Sequence, residues 1–107
     1  MEITTRVWLD DCRPAPVGWV RVKTAPSAIT VLRNCEVSHL SLDHDLGEEP
    51  GIGNGYDVLL WIEEEVAYNE SYQPPEVITV HSDNAGARPR MFAAIESIKR
   101  LMARRRG

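Results

Sequence analysis

Apolar residues recur along this chain in two rhythms, one suited to strands and one to helices. Val7-Trp8-Leu9 and Val77-Ile78-Thr79-Val80 are nearly unbroken apolar or β-branched runs, the pattern of strands covered on both faces. With Ser38 to Asp43 they predict strands over Val7 to Asp10, Ser38 to Asp43 and Val77 to His81. Trp19-Val20-Arg21-Val22-Lys23 alternates instead and predicts an edge strand with its charges on one side.

Helical spacing fills the intervals. From Pro26 to Cys35 the residues Ala28, Ile29, Leu32 and Cys35 fall on one stripe, and Thr24 and Pro26 supply start signals. Asn54 followed by Asp57 has the form of a helix cap, and Val58, Leu59, Ile62 and Val66 give the next apolar face. Asn69 and Pro74-Pro75 end it. Met91, Ala94, Ile95, Ile98, Leu101 and Met102 mark a last helix with Pro89 in its first turn.

The order is strand, strand, helix, strand, helix, strand, helix. It predicts an α/β fold, a doubly wound, three-layer domain with helices on both faces of a four-stranded parallel sheet. The link between the first two strands holds Arg13-Pro14-Ala15-Pro16, too short and proline-rich for a full helix.

At 107 residues the chain suits one domain spanning 1–107. A hydrophobic fraction of 43% argues against disorder, and a net charge of −4 gives no basis for non-specific DNA binding. No stretch approaches the roughly 20 apolar residues of a membrane span, and the N-terminus lacks a signal-peptide core. A cytoplasmic location is expected. Cys12 and Cys35 form no metal-binding pair motif, and the acids before Cys12 make it a poor nucleophile.

Chemistry gathers at strand ends. Asp10-Asp11 closes the first strand and Asp43-His44-Asp45 the third. In a doubly wound sheet, ligands bind beyond the carboxyl ends of the strands where the order reverses. If the strand order is 2-1-3-4, the first and third strands are neighbours and these acids converge. Clustered carboxylates repel, and a hard cation, Mg²⁺ or Mn²⁺, held by Asp10, Asp11 and Asp43 resolves the conflict.

His81-Ser82-Asp83-Asn84 ends the fourth strand. His81 can move a proton near neutral pH, and Ser82 or Asn84 can donate to a phosphoryl oxygen. Arg88 and Arg90 open the last helix, where guanidinium groups and the helix dipole favour anions. His44 is a weaker candidate, because adjacent strand residues face opposite sides; His39 is weaker still. An EF-hand loop starting at Asp43 fails, since Gly47 stands at its fifth position and Glu48 at its sixth. Gly51, Gly53 and Gly55 match neither a dinucleotide fingerprint nor a P-loop. The arginines near the C-terminus, Arg104 to Arg106, suit a helix end.

The segments Trp8-Leu9-Asp10-Asp11-Cys12-Arg13-Pro14, Leu40-Ser41-Leu42-Asp43-His44-Asp45-Leu46-Gly47, Gly55-Tyr56-Asp57 and His81-Ser82-Asp83-Asn84 resemble the cyclic-phosphate-processing receiver-like domains over nearly the whole chain. The resemblance implies a response-regulator-like (flavodoxin-like) fold and a role on cyclic phosphate ends in RNA or nucleotide metabolism. Against ordinary two-component receivers, Asp10 and Asp11 resemble the metal pair and Asp43 the phosphate-accepting aspartate. The fifth strand and its lysine have no counterpart, and Lys99 lies deep in the last helix.

The expected function is a Mg²⁺- or Mn²⁺-dependent phosphoesterase acting on a phosphate-containing small molecule or an RNA end. Asp43, Asp45 and His81 would be catalytic, and Ser82, Asn84 and Arg88 would hold phosphate. The alternative is a non-catalytic receiver-like module that binds or accepts a phosphoryl group in signalling.

Overall fold

The computed structural model describes residues 4–106. Its elements are β1 (Thr5–Leu9), β2 (Val20–Val22), α1 (Ala25–Asn34), β3 (Val37–Leu42), α2 (Gly55–Tyr68), β4 (Val77–Val80) and α3 (Arg88–Arg106). The four strands form one sheet in the order β2-β1-β3-β4, and every pairing is parallel, as the alternation of strands and helices predicts. β2 is shorter than its alternating pattern suggests. Trp19 stays outside it because its N–H donates to Pro16 O at 3.1 Å, closing a turn through Gly18 at φ +89°.

Local chemistry sets the helix ends. Thr24 Oγ1 accepts the Ser27 N–H at 3.1 Å to cap α1. Asn54 and Asp57 cap α2 reciprocally, through Asp57 N to Asn54 Oδ1 at 2.9 Å and Asn54 N to Asp57 Oδ2 at 3.0 Å. Arg105 of α3 donates to the carbonyls of Val66, Asn69 and Tyr72 at 2.6 to 2.8 Å. It thereby satisfies acceptors at and just beyond the end of α2. This arginine is therefore a structural clamp.

Strand alternation divides the sheet into two unlike faces. On one, Val7, Leu9, Leu40 and Leu42 are completely buried, and Val22, Ile78 and Val80 join them. The same cluster takes Ala28 and Leu32 from α1, Leu59 and Ile62 from α2, and Met91 and Ile95 from α3. Arg6, Trp8, Arg21, His39, Ser41 and Thr79 occupy the intervening register positions and face the other way.

All three helices thus pack on one face, and the expectation of helical layers on both is corrected to two layers among the described residues. Handedness supplies the reason. The connections through α1 and α2 move in the same direction across the sheet, so right-handed crossovers lay them on the same side. Only the link from β1 to β2 moves the opposite way, and residues 11–18 form bends, irregular backbone and one turn, not a helix. The molecule is accordingly 22 Å across its thinnest direction. No helix among the described residues is long and apolar enough to cross a membrane.

Tyr72 packs edge-on against Trp61, with ring centroids 5.3 Å apart, and its buried hydroxyl has no hydrogen-bond partner. Burial, aided by Glu65, pushes the phenol up to about 12. A raised acid stabilises the fold fully below the unfolded value, and that contribution fades as pH rises through the folded value. The window here runs from 10.0 to about 12. Tyr72→Phe, which deletes the unpartnered hydroxyl, is expected to raise stability by about 1 kcal/mol and to flatten the alkaline loss. Urea unfolding at neutral and alkaline pH checks both.

Candidate functional site

The carboxyl ends of β1, β3 and β4 meet on the helix-free face. Asp10, Asp43 and His81 each offer a ligand atom there, all within 4.8 Å of one another. Their convergence follows from register: Leu9 lies opposite Leu42 and Leu42 opposite Val80, so the next residue of each strand reaches the same level.

Asp10 is completely buried and its two oxygens have different partners. Oδ1 accepts the backbone N–H groups of Cys12 and Arg13, both at 2.8 Å, an Asx turn that ends the strand. Oδ2 faces His81 Nε2 at 3.1 Å. Burial pushes the Asp10 carboxyl up, but the Arg13 and Cys12 N–H groups and His81 outweigh it, and the net shift is downward. The carboxylate stays charged in spite of its depth. Asp43, half-buried, holds the His44 N–H on Oδ1 at 2.8 Å.

His81 is fixed from three directions. Its Nδ1 lies 2.7 Å from Ser41 Oγ, its Nε2 meets Asp10, and its ring stacks on Trp8 with centroids 3.8 Å apart and planes 5° apart. A hydroxyl can donate or accept, so Ser41 can serve either tautomer. With Nε2 protonated, His81 donates to Asp10 and Ser41 donates to Nδ1; with Nδ1 protonated, the Nε2 lone pair is free for a cation. Arg13 donates to the His81 carbonyl at 3.0 Å and pairs with Asp83, tying the link after β1 to the end of β4.

The other predicted residues lie around this core. Asp11 is half-buried and outside the three-residue group; it raises the Cys12 thiol through its charge. Asp45 is exposed and bonds His44 Nδ1 at 2.9 Å. That contact and the Asn84 amide hold its carboxyl below the usual range against some desolvation. His44 therefore pairs with an acid of the loop rather than turning away from both.

Ser82 is buried, and its Oγ accepts the Asn84 N–H at 3.0 Å. Asn84 Oδ1 accepts the Ala87 N–H at 3.0 Å, and Nδ2 donates to Asp45 at 3.2 Å. Both side chains are engaged in shaping the loop before α3. Arg88 is exposed at the start of α3 and lies over Phe92 at 5.8 Å. Sequence reasoning missed Ser41, Trp8 and Arg13. Ser41 left one signal: a polar residue between Leu40 and Leu42, two before Asp43 and so on the same strand face.

A parallel sheet in the order 2-1-3-4, carrying two aspartates at its carboxyl edge, defines a receiver-like domain. The family model of the cyclic-phosphate processing receiver domain matches residues 5–97, and the chain belongs to that family. No curated protein and no solved structure matches it.

The donor set fits a divalent cation. Two carboxylates side by side suit a hard cation held through oxygen.

Proposed function

We propose that this domain is a Mg²⁺- or Mn²⁺-dependent phosphoesterase that opens cyclic phosphates of nucleotides or RNA ends. The observation that carries the reading is the convergence of Asp10, Asp43 and His81 within 4.8 Å, in a family named for cyclic-phosphate processing. Water adds to phosphorus, one phosphorus–oxygen bond to the ribose breaks, and the released ribose oxygen takes a proton. The product is a phosphomonoester.

In this reading Asp10 and Asp43 hold the cation, with Asp11 at the rim. When bound, the cation supplies charge neutralisation at the phosphoryl oxygens. His81 handles the proton at Nε2, the nitrogen turned toward the acids; Ser41 holds its orientation through Nδ1, and Trp8 excludes water from one ring face. Asp45 stands with His44 beside the site as a second proton relay. Arg88 offers its charge to the phosphate from the start of α3.

The experiment is a turnover assay of the purified domain on 2′,3′-cyclic and linear phosphoesters with Mg²⁺ or Mn²⁺. Repeated, metal-dependent conversion of the cyclic substrate is expected. A single stable phosphate per chain after incubation with a small phosphodonor, without turnover, would instead assign the domain to the phosphoacceptor class.

A further inference from the structure

The sheet face that lacks helices carries an aromatic strip beginning at the acidic site. His81 stacks on Trp8, Trp8 meets Trp19 edge-on at a centroid distance of 6.0 Å, and Trp19 meets His39 edge-on at 6.0 Å. Trp8, Trp19 and His39 all remain partly exposed. The Trp8 indole N–H is buried without an acceptor, so hydrogen bonding does not explain why an indole stands there.

Away from the acidic site, the charge on this face opposes that of the whole molecule. The chain carries a net −4, yet Arg6, Arg21 and Lys23 flank the strip, with Arg6 and Lys23 exposed. The strand positions pointing this way from Arg6 to Trp8, at Arg21, and from His39 to Ser41 hold no carboxylate. Aromatic rings interleaved with cations recognise bases joined to phosphates. Two strand residues, about 7 Å, separate Trp8 from Asp10, so ring and acid can engage two parts of one nucleotide.

We propose that this strip is a base-stacking platform for the nucleotide whose phosphate occupies the acidic site, with Trp19 as its principal stacking residue. Trp8 already carries a parallel-stacked partner in His81, whereas Trp19, next to the edge strand β2, meets Trp8 and His39 only edge-on and is stacked in parallel on neither. Arg6 and Arg21 face the adjoining phosphates of an RNA end. The assignment rests on the phosphoesterase reading for the phosphate's position. It predicts a substrate class, ribonucleotides and RNA ends, in preference to base-free cyclic phosphates.

The test compares two probes on the whole domain: adenosine 2′,3′-cyclic phosphate, and the 2′,3′-cyclic phosphate of 1-methylriboside, which has no base. Calorimetric titration of the wild type should show the adenosine probe binding about 5- to 150-fold more tightly, the range of one stacked base. Trp19→Ala should collapse that ratio toward one, and Trp19→Phe should restore most of it. Equal affinity of both probes for the wild type overturns the platform while leaving phosphoesterase activity intact. Tight, Trp19-dependent binding of the adenosine probe without turnover supports the platform and defeats the phosphoesterase reading. A Trp19-dependent dimer in sedimentation, with no preference between probes, assigns the face to a second copy and overturns the proposal.

Discussion

His81→Ala is expected to lower turnover of a 2′,3′-cyclic phosphate by about 10²- to 10⁴-fold, the usual contribution of a positioned proton donor or acceptor. The surrounding geometry makes a sharper prediction. Ser41 lies 2.7 Å from Nδ1 of His81 and is itself buried, so its influence on the reaction passes through the imidazole. Ser41→Ala should therefore reduce kcat by about tenfold, less than the loss of His81. In a His81→Ala background the same change should have almost no further effect, because residues acting as one unit are not additive. Additive losses in the double variant would show that Ser41 acts independently of His81. Steady-state kinetics on the four proteins, with thermal unfolding as a folding control, decides between these outcomes.

Gly55→Ala should destabilise the domain by about 3 kcal/mol, at the upper end of what overpacking costs. At most helical positions the change from glycine to alanine stabilises, by about 0.5 to 1 kcal/mol. Here the sign reverses because α2 begins directly against the backbone of β3's extension. The Gly55 N–H donates to His44 O at 3.1 Å, and a Cβ would overlap the carbonyl oxygen of Asp43 and lie 2.9 Å from Met91 Cε. The methionine can move, but the carbonyl belongs to the strand end that aims Asp43 into the site. Relief of the clash must shift either α2 or Asp43. Both stability and cation affinity should fall together. A Gly55→Ala protein as stable as the parent in urea would show that this contact is looser than the structure indicates.

Several parts of this architecture can be read from the chain because their causes are local. The Asn54 and Asp57 cap, the Thr24 cap and the apolar stripes of the helices each depend on residues three or four apart. The meeting of the acids followed from one general rule, that ligands bind beyond the carboxyl ends of the strands where the order reverses. Asp10 and Asp43 do lie side by side in the structure, with ligand atoms within 4.8 Å of one another.

What escaped the sequence depends on contacts between distant residues. His81 bonds Asp10 across 71 positions and Ser41 across 40, and no local pattern encodes either pair. The one-sided helix layer escaped for a different reason. Val7-Trp8-Leu9 looks like a strand buried on both faces, but the exposed face keeps its apolar character through aromatic residues. Trp8 is covered by His81 and Trp19 instead of by a helix. Ser82 and Asn84 were legible as polar residues at a strand end, although their engagement in the turn before α3 was not.

The central claim is that Asp10 and Asp43 form one cation site beside His81, and Mn²⁺ titration followed by electron paramagnetic resonance tests it most directly. The wild-type domain should bind one Mn²⁺, and Asp10→Asn and Asp43→Asn should each weaken that binding at least about tenfold, since a neutral amide is a poorer ligand than a carboxylate for a hard cation. Mn²⁺ binding that is absent from the folded wild type, or unchanged in both variants, would contradict the account.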